Sequence, residues 1–96
     1  MRDPAAGEHH VRRTLGVVAI VRYWAGARAA AGCAEEQLGV SSVGELLSAV
    51  AQRHDIDRIL QVSSLLIDGV AVRTSDSARH VPVSAVVDVL PPFAGG

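Results

Sequence analysis

The last six residues of the chain, Pro-Pro-Phe-Ala-Gly-Gly at 91–96, carry its clearest chemical signal. The two prolines cannot continue a β-sheet, because each lacks the backbone N–H that strand pairing requires. Phe93 offers one large side chain to a partner's pocket, and Gly95 and Gly96 can pass through a channel too narrow for a Cβ atom. We therefore interpret the carboxylate of Gly96 as the reactive group.

No catalytic motif accompanies this segment. The sequence contains no Cys-x-x-Cys, no His-Glu-x-x-His and no Gly-rich loop of the phosphate-binding type. Cys33 is the single cysteine, and because no cation or base lies close to it in the sequence, we interpret it as a small buried hydrophobic residue. We do not expect the chain to be an enzyme on its own.

The histidines are assigned no catalytic or metal-binding role. His9 and His10 lie in a polar segment that supplies neither a closed ligand set nor supporting groups. His54 and Asp55 could form an acid/base pair, but a histidine in the last turn of a helix also interacts favourably with the helix dipole, and we favour that interpretation. His80 falls in a polar loop. No metal site is predicted.

Composition excludes several classes of function. The net charge is −1, and all nine basic residues are arginines, so no basic patch for nucleic acid and no lysine nucleophile is expected. No apolar stretch is long enough to span a membrane, and the N-terminus lacks the apolar centre of a signal peptide. With only one cysteine and hence no internal disulfide, a cytoplasmic location is expected.

We predict three segments. Residues 1–14 contain almost no large apolar side chain and are expected to form a flexible arm. Residues 15–90 are expected to form one domain, and 91–96 an extended reactive tail. A chain of 96 residues with 49% hydrophobic residues can build one core.

The first half of the domain predicts two strands and a short helix. Val17–Tyr23 is a nearly continuous β-branched run, typical of a strand that is covered on both faces within a parallel pairing. Ala25–Ala31 predicts a helix that ends at Gly32, where a left-handed conformation costs little. Cys33–Leu38 predicts an edge strand, since Glu35 and Glu36 are charged.

The strongest helix prediction covers residues 42–54. Ser42 and Glu45 form a Ser-x-x-Glu capping box, and one face is apolar at helical spacing: Val43, Leu46, Leu47, Val50 and Ala51. Gly44 costs this helix up to about 1 kcal/mol relative to Ala, less than the roughly 1.5 to 3 kcal/mol gained by burying one Leu. We therefore expect this helix to pack on the core.

The second half predicts a hairpin and a final strand. Residues 55–62 are ambiguous, with one helical turn near Ile59 and Leu60 as one interpretation. Asp68-Gly69 predicts a tight turn between the apolar runs 65–67 and 70–72. Residues 74–84 then form a loop and 85–90 the last strand, which ends at the two prolines.

The first and last strands are the most apolar and are predicted to be neighbours at the sheet centre. The fold class is therefore α+β, with a mixed sheet of about four to five strands packed against one main helix.

The segment 90–96, Leu-Pro-Pro-Phe-Ala-Gly-Gly, resembles the hydrophobic-Pro-Pro-x-x-Gly-Gly ending of the ubiquitin-like β-grasp sulfur carriers of the MoaD/ThiS family. It is most similar to that of the MoaD type, the small subunit of molybdopterin synthase. The stretch Tyr-Trp-Ala-Gly-Ala-Arg at 23–28 and the Ile67–Gly69 turn support the resemblance, which covers 17–96. The predicted element order is that of a ubiquitin-like β-grasp domain.

The resemblance implies a chemistry for the tail. An activating enzyme related to ubiquitin-activating adenylyltransferases would use ATP to adenylate Gly96, and a sulfur donor protein would convert it to a thiocarboxylate. A large, MoaE-type subunit would receive the tail, whose partner-binding residues would be Pro91, Pro92, Phe93, Ala94 and Gly95. Sulfur would then pass to a pterin precursor in molybdenum cofactor biosynthesis. No cofactor is expected to be bound.

Two alternatives remain open on the sequence. The sulfur acceptor could be the precursor of thiazole, cysteine or another product, because Gly-Gly reports the chemistry and not the acceptor. The chain could also be a ubiquitin-like modifier or an interaction domain. Ordering six tail residues costs about 6 to 12 kcal/mol, so we also predict a second, flatter docking surface on the exposed side of the sheet.

Overall fold

The computed structural model describes residues 18–92, so the predicted arm at 1–14 lies outside the described residues. Eight elements follow one another: β1 (Val18–Tyr23), α1 (Ala25–Ala31), β2 (Glu35–Gly39), α2 (Val43–Arg53), α3 (Asp57–Val62), β3 (Ser64–Ile67), β4 (Val70–Val72) and β5 (Val86–Leu90). The predicted helices and strands all form. The largest difference is at β2, which begins two residues later than the extended segment predicted from Cys33.

The strands form one mixed sheet in the order β2-β1-β5-β3-β4. β1 and β5 pair in parallel, with Val21 opposite Val87, and the other three pairings are antiparallel. The first and last strands are therefore neighbours in the middle of the sheet, as predicted. A mixed sheet packed against helices confirms the α+β fold class.

Coverage of β1 is one-sided, and the prediction of a strand buried on both faces is wrong. Ala19, Val21 and Tyr23 are buried, whereas Ile20 is half-buried and Arg22 is exposed. The buried residues of the helices belong to the same core cluster as Ala19, Val21 and Tyr23. Within residues 18–92 the helices thus pack on one face, called the core face here, and leave the other face of the sheet open.

The N-terminus of α2 shows how local signals fix the main helix. The Oγ atom of Ser42 accepts a hydrogen bond from the backbone N–H of Glu45 at 3.1 Å, as in a capping box. The Glu45 carboxylate accepts from the backbone N–H of Ser41 instead of Ser42, at 2.8 Å. Of the predicted apolar face, Val43, Leu46 and Val50 are fully buried, Leu47 is half-buried and Ala51 is exposed.

The hairpin turn ties β3 and β4 to the centre of the sheet. Asp68 and Gly69 both have positive φ angles, 48° and 84°, as a two-residue turn of this kind requires. The Asp68 carboxylate also accepts a hydrogen bond from the backbone N–H of Val86 at 2.9 Å. The turn residue predicted from the Asp-Gly pair therefore also fixes the start of β5.

Candidate functional site

The tail leaves the domain from the central strand of the sheet. β5 lies between β1 and β3, and its residues Val87 and Val89 are fully buried. Pro91 is also buried, and Pro92 is exposed. Of the two prolines predicted to bind partners, the first is thus part of the packed domain and the second lies at its surface. Because a proline has no N–H to donate, sheet pairing ends here.

The remaining predicted site residues, Phe93, Ala94, Gly95 and Gly96, lie outside the described residues. Their assignment as anchor, threading residues and reactive terminus stays a prediction from the sequence. What the structure supplies is the position from which they start. That position is the end of the sheet at which the parallel strands β1 and β5 both finish.

A polar cluster of Arg22, Trp24 and Asp88 lies on the open face beside this exit. The Arg22 guanidinium donates to both carboxylate oxygens of Asp88, at 2.7 and 3.2 Å, and the Trp24 indole N–H donates to Oδ1 at 2.8 Å. The guanidinium carbon lies 5.6 Å from the centre of the Trp24 ring. Three donors thus surround one carboxylate, which is only 7% exposed.

Electrostatics keep this cluster ionised. The hydrogen bond from Arg22 is the main reason that the pKa of Asp88 lies below its ordinary value, and it outweighs the opposing effect of burial. The same bond raises the pKa of Arg22. A fixed ion pair therefore holds the Trp24 ring at the surface, where 43% of the residue is exposed.

Half-buried apolar side chains surround the Asp88 cluster. Strand register places Ile20 opposite Val86 and Leu66 opposite Asp88, and Leu90 faces the same way two residues further along β5. Large aromatic and arginine side chains within an apolar surface are typical of protein interfaces. The open face is thus a candidate for the flat docking surface predicted from the cost of ordering the tail.

A second polar cluster, centred on Glu36, lies on the core face. Its carboxylate accepts hydrogen bonds from the Tyr23 hydroxyl and from the Arg53 guanidinium, the latter at 2.7 Å. The His54 Nε2 atom lies 2.7 Å from Glu36 Oε2, and the Tyr23 and His54 rings meet edge to face at 5.7 Å. The side chain of Glu36 is 10% exposed and that of His54 14%.

Burial alone would raise the pKa of Glu36, but the hydrogen bonds from Tyr23, His54 and Arg53 together lower it below its ordinary value. For Tyr23, burial and the bond to Glu36 both raise the pKa. The stable form of this cluster is therefore a carboxylate beside a neutral phenol.

This cluster adds contacts to two interpretations drawn from the sequence. The backbone N–H of His54 does cap α2 by donating to Val50, but its side chain contacts Glu36 and not Asp55. Cys33 is half-buried and packs against the hydrophobic core, in line with its interpretation as a small hydrophobic residue. Its sulfur also lies within 4.8 Å of ligand atoms of Glu36 and His54, which the sequence did not predict. Local spacing could not predict the contact of His54 with Glu36, because 18 residues separate the two. Glu36 and the buried Leu38 are two residues apart on β2, so their side chains lie on the same, core face of the sheet.

The sheet order and the single core face define the ubiquitin-like β-grasp fold, and solved structures agree. A protein described as molybdopterin converting factor, subunit 1, from Pyrococcus furiosus matches with a TM-score of 0.70 at 22% identity, over 80% of this chain and 99% of that one. Small archaeal modifier protein 1 from Methanosarcina acetivorans matches with a TM-score of 0.72 at 21% identity, over 83% and 97% of the two chains.

Small archaeal modifier protein 1 from Haloferax volcanii gives a TM-score of 0.70 at 19% identity, over 82% of this chain and 99% of that one. These likenesses confirm the resemblance drawn from the sequence at the level of the fold. No protein-family model and no curated protein sequence matches the chain. None of the helices within residues 18–92 is long and apolar enough to cross a membrane.

Proposed function

We propose that this chain is a sulfur carrier whose Gly96 carboxylate is adenylated and then converted to a thiocarboxylate. One observation carries the proposal. In a β-grasp domain, the central strand β5 runs directly into Pro91-Pro92, after which the sequence continues Phe-Ala-Gly-Gly. The proposal takes Gly96 as the terminal residue of the active protein. The likeness to a molybdopterin converting factor subunit supports it.

The chemistry requires two displacements. A carboxylate oxygen of Gly96 attacks the α-phosphorus of ATP, and pyrophosphate leaves, which gives an acyl-adenylate with AMP as a good leaving group. A sulfide equivalent from a donor protein then attacks the carbonyl carbon and AMP departs. ATP is used by the activating enzyme and is not a bound cofactor of this chain. Acid and base groups come from the partners.

We further propose that the acceptor is a pterin precursor bound by a larger, MoaE-type subunit, as in molybdopterin synthesis. Gly95 and Ala94 would occupy a narrow channel, and Phe93 would anchor the tail at its entrance. Thiazole or cysteine synthesis remains the alternative, because the same thiocarboxylate serves any of these acceptors. Incubating the thiocarboxylated protein separately with each purified acceptor system distinguishes them by the product formed.

The second candidate function is a modifier that is joined to other proteins, and it is favoured by the likeness to two small archaeal modifier proteins. The chain has no lysine of its own, so its tail has no side-chain amine in the same chain to join. Intact mass spectrometry of protein isolated from its own cells separates the two functions. Replacement of one oxygen by sulfur supports the carrier, whereas added protein mass supports the modifier.

The open face provides the second docking surface in this proposal. Ordering six tail residues costs about 6 to 12 kcal/mol of conformational entropy, and the two prolines reduce this cost because they restrict the free chain. Contacts outside the tail must offset the remainder. Deleting residues 93–96 should therefore weaken binding to the large subunit without abolishing it. Calorimetric titration of that truncated protein tests the point, and complete loss of binding would contradict a docking role for the sheet.

A further inference from the structure

Three side chains on the core face bring different metal-binding atoms together. The Cys33 sulfur, a Glu36 carboxylate oxygen and a His54 imidazole nitrogen all lie within 4.8 Å of one another. We propose that Cys33, Glu36 and His54 bind a zinc ion. This site goes beyond the sulfur-carrier function, because none of the three residues belongs to the tail or to the open face.

The ligand types favour zinc over harder cations. A thiolate and an imidazole suit Zn²⁺, whereas Ca²⁺ and Mg²⁺ prefer sets of oxygen atoms. Bond lengths of about 2.3 Å to sulfur and about 2.0 to 2.2 Å to nitrogen and oxygen require ligand atoms only a few ångströms apart. The observed spacing meets that requirement after small rotations. The His54 nitrogen and Glu36 Oε2, now 2.7 Å apart, would each turn to the ion.

Neighbouring groups hold the Glu36 carboxylate in place through both of its oxygens. Arg53 donates to Oε1 and Tyr23 to Oε2, and the contact of Oε2 with His54 is the one that the ion would replace. Fixed hydrogen bonds to metal-binding carboxylates are usual around metal sites.

The site has rigid supports and a path from solvent. Glu36 belongs to β2 and His54 caps α2, while Cys33 follows the left-handed Gly32 that ends α1. Cys33 also lines an open surface cavity together with Arg28 and Gly32, so an ion can reach the sulfur. Three protein ligands leave the fourth tetrahedral position for water or an external ligand.

Binding is balanced by the release of a proton. The Cys33 S–H bond breaks as the sulfur–zinc bond forms, and the proton passes to the buffer. Glu36 binds through an oxygen lone pair. The Nε2 proton of His54, which now faces Glu36, moves to Nδ1, so that Nε2 binds the ion through its lone pair and no second proton is released.

The test is a zinc titration of the reduced, full-length protein against a chromophoric chelator. We expect one ion per chain, and Cys33→Ser and His54→Gln should each weaken binding by at least about tenfold. His80→Gln and the double variant His9→Gln/His10→Gln are the controls and should leave this affinity unchanged. Circular dichroism establishes that each variant is folded, and Cys33→Ser, which changes one atom, serves if His54→Gln unfolds.

Cobalt(II) provides a spectroscopic readout of the ligand set. The wild type should give a sulfur-to-cobalt charge-transfer band in the near ultraviolet, and Cys33→Ser should lose it. Absence of zinc binding by the wild type would overturn the proposal. So would equal affinity in Cys33→Ser, or loss of binding in the His9/His10 variant, which would place the ion in the N-terminal segment.

Discussion

Glu36 and Asp88 lie on opposite faces of one sheet, and each gathers several donors around a carboxylate of low exposure. On the core face, Glu36 connects β1, β2 and the end of α2. On the open face, Asp88 holds Arg22 and Trp24 in place. Glu36 therefore connects elements within the fold, whereas Asp88 fixes the positions of two side chains at the surface.

Replacing Glu36 by Ala should destabilise the domain by about 1 to 3 kcal/mol, because the buried Tyr23 hydroxyl loses its acceptor. Glu35→Ala is the matched control, since Glu35 is the adjacent residue on the same strand and is exposed. It should change the free energy of unfolding by no more than about 0.5 kcal/mol. Urea unfolding measures both, and equal effects would show that the Glu36 contacts contribute nothing specific.

Asp88 should make stability depend on pH. Its pKa is lower in the folded protein than in the unfolded chain, so its contribution is complete above the unfolded value of about 4 and is lost as pH falls through the folded pKa. The stability difference between wild type and Asp88→Asn should therefore shrink as pH falls from about 5 to 3. Asp55→Asn, at an exposed position, is the control. A difference that stays constant with pH would contradict the ion-pair assignment.

At the scale of elements, two helix glycines with the same intrinsic cost should respond in opposite ways to alanine. A Cβ atom at Gly26 would make only an ordinary contact, 3.9 Å from the end of Ile59. At Gly44 it would lie 3.1 Å from both the Cβ and the backbone oxygen of Ser77, and the Gly44 N–H also donates to that oxygen. The loop around Ser77 thus packs directly against the start of α2.

Gly26→Ala should stabilise the domain by up to about 1 kcal/mol, as helix propensity predicts. Gly44→Ala should instead destabilise the domain, because the backbone of Ser77 must move to make room for the added Cβ atom. Thermal unfolding of the two variants side by side provides the comparison. An equal increase in stability in both variants would mean that the loop around Ser77 moves away from the added Cβ atom at no energetic cost.

The same contrast shows what the sequence could predict. The Ser42–Glu45 cap, the Gly32 stop and the Asp68-Gly69 turn depend on residues close together in the chain, and all three form. The reason for glycine at position 44 depends on a loop some thirty residues away and could not be predicted. The Arg22–Asp88 pair joins residues 66 positions apart, and only the pairing of β1 with β5 brings them together.

The site was predictable to a similar degree. The strand β5 and its end at Pro91 were predicted from an apolar run and two prolines, which are local signals, and the role of the residues that follow stays a prediction. The cluster of Cys33, Glu36 and His54 required the register of β2, which fixes the side of the sheet on which Glu36 lies. Alternation with Leu38 indicates that direction, but not the residues that Glu36 would meet there.

At the scale of the whole molecule, the tail exit and the open face meet at one end of the sheet, and a partner that binds both would join them. Trp24→Ala should then weaken binding to the proposed large subunit by roughly thirtyfold, about 2 kcal/mol, as for an interface aromatic anchor. Val62→Ala is the control, since Val62 is an exposed apolar residue on α3. Calorimetric titration measures both, and equal affinities would remove the open face from the interface.

In the proposed function, Gly96 is the residue that carries the sulfur. The most direct measurement is reconstituted sulfur transfer with the activating enzyme, ATP, a sulfide source and the acceptor system, comparing the wild type with a variant that lacks Gly96. We expect a thiocarboxylate on the wild type, detected by intact mass, together with sulfur-containing product. The shortened protein, whose fold should be unchanged, should give neither. Equal sulfur transfer by the two proteins would show that Gly96 is not the sulfur-carrying residue.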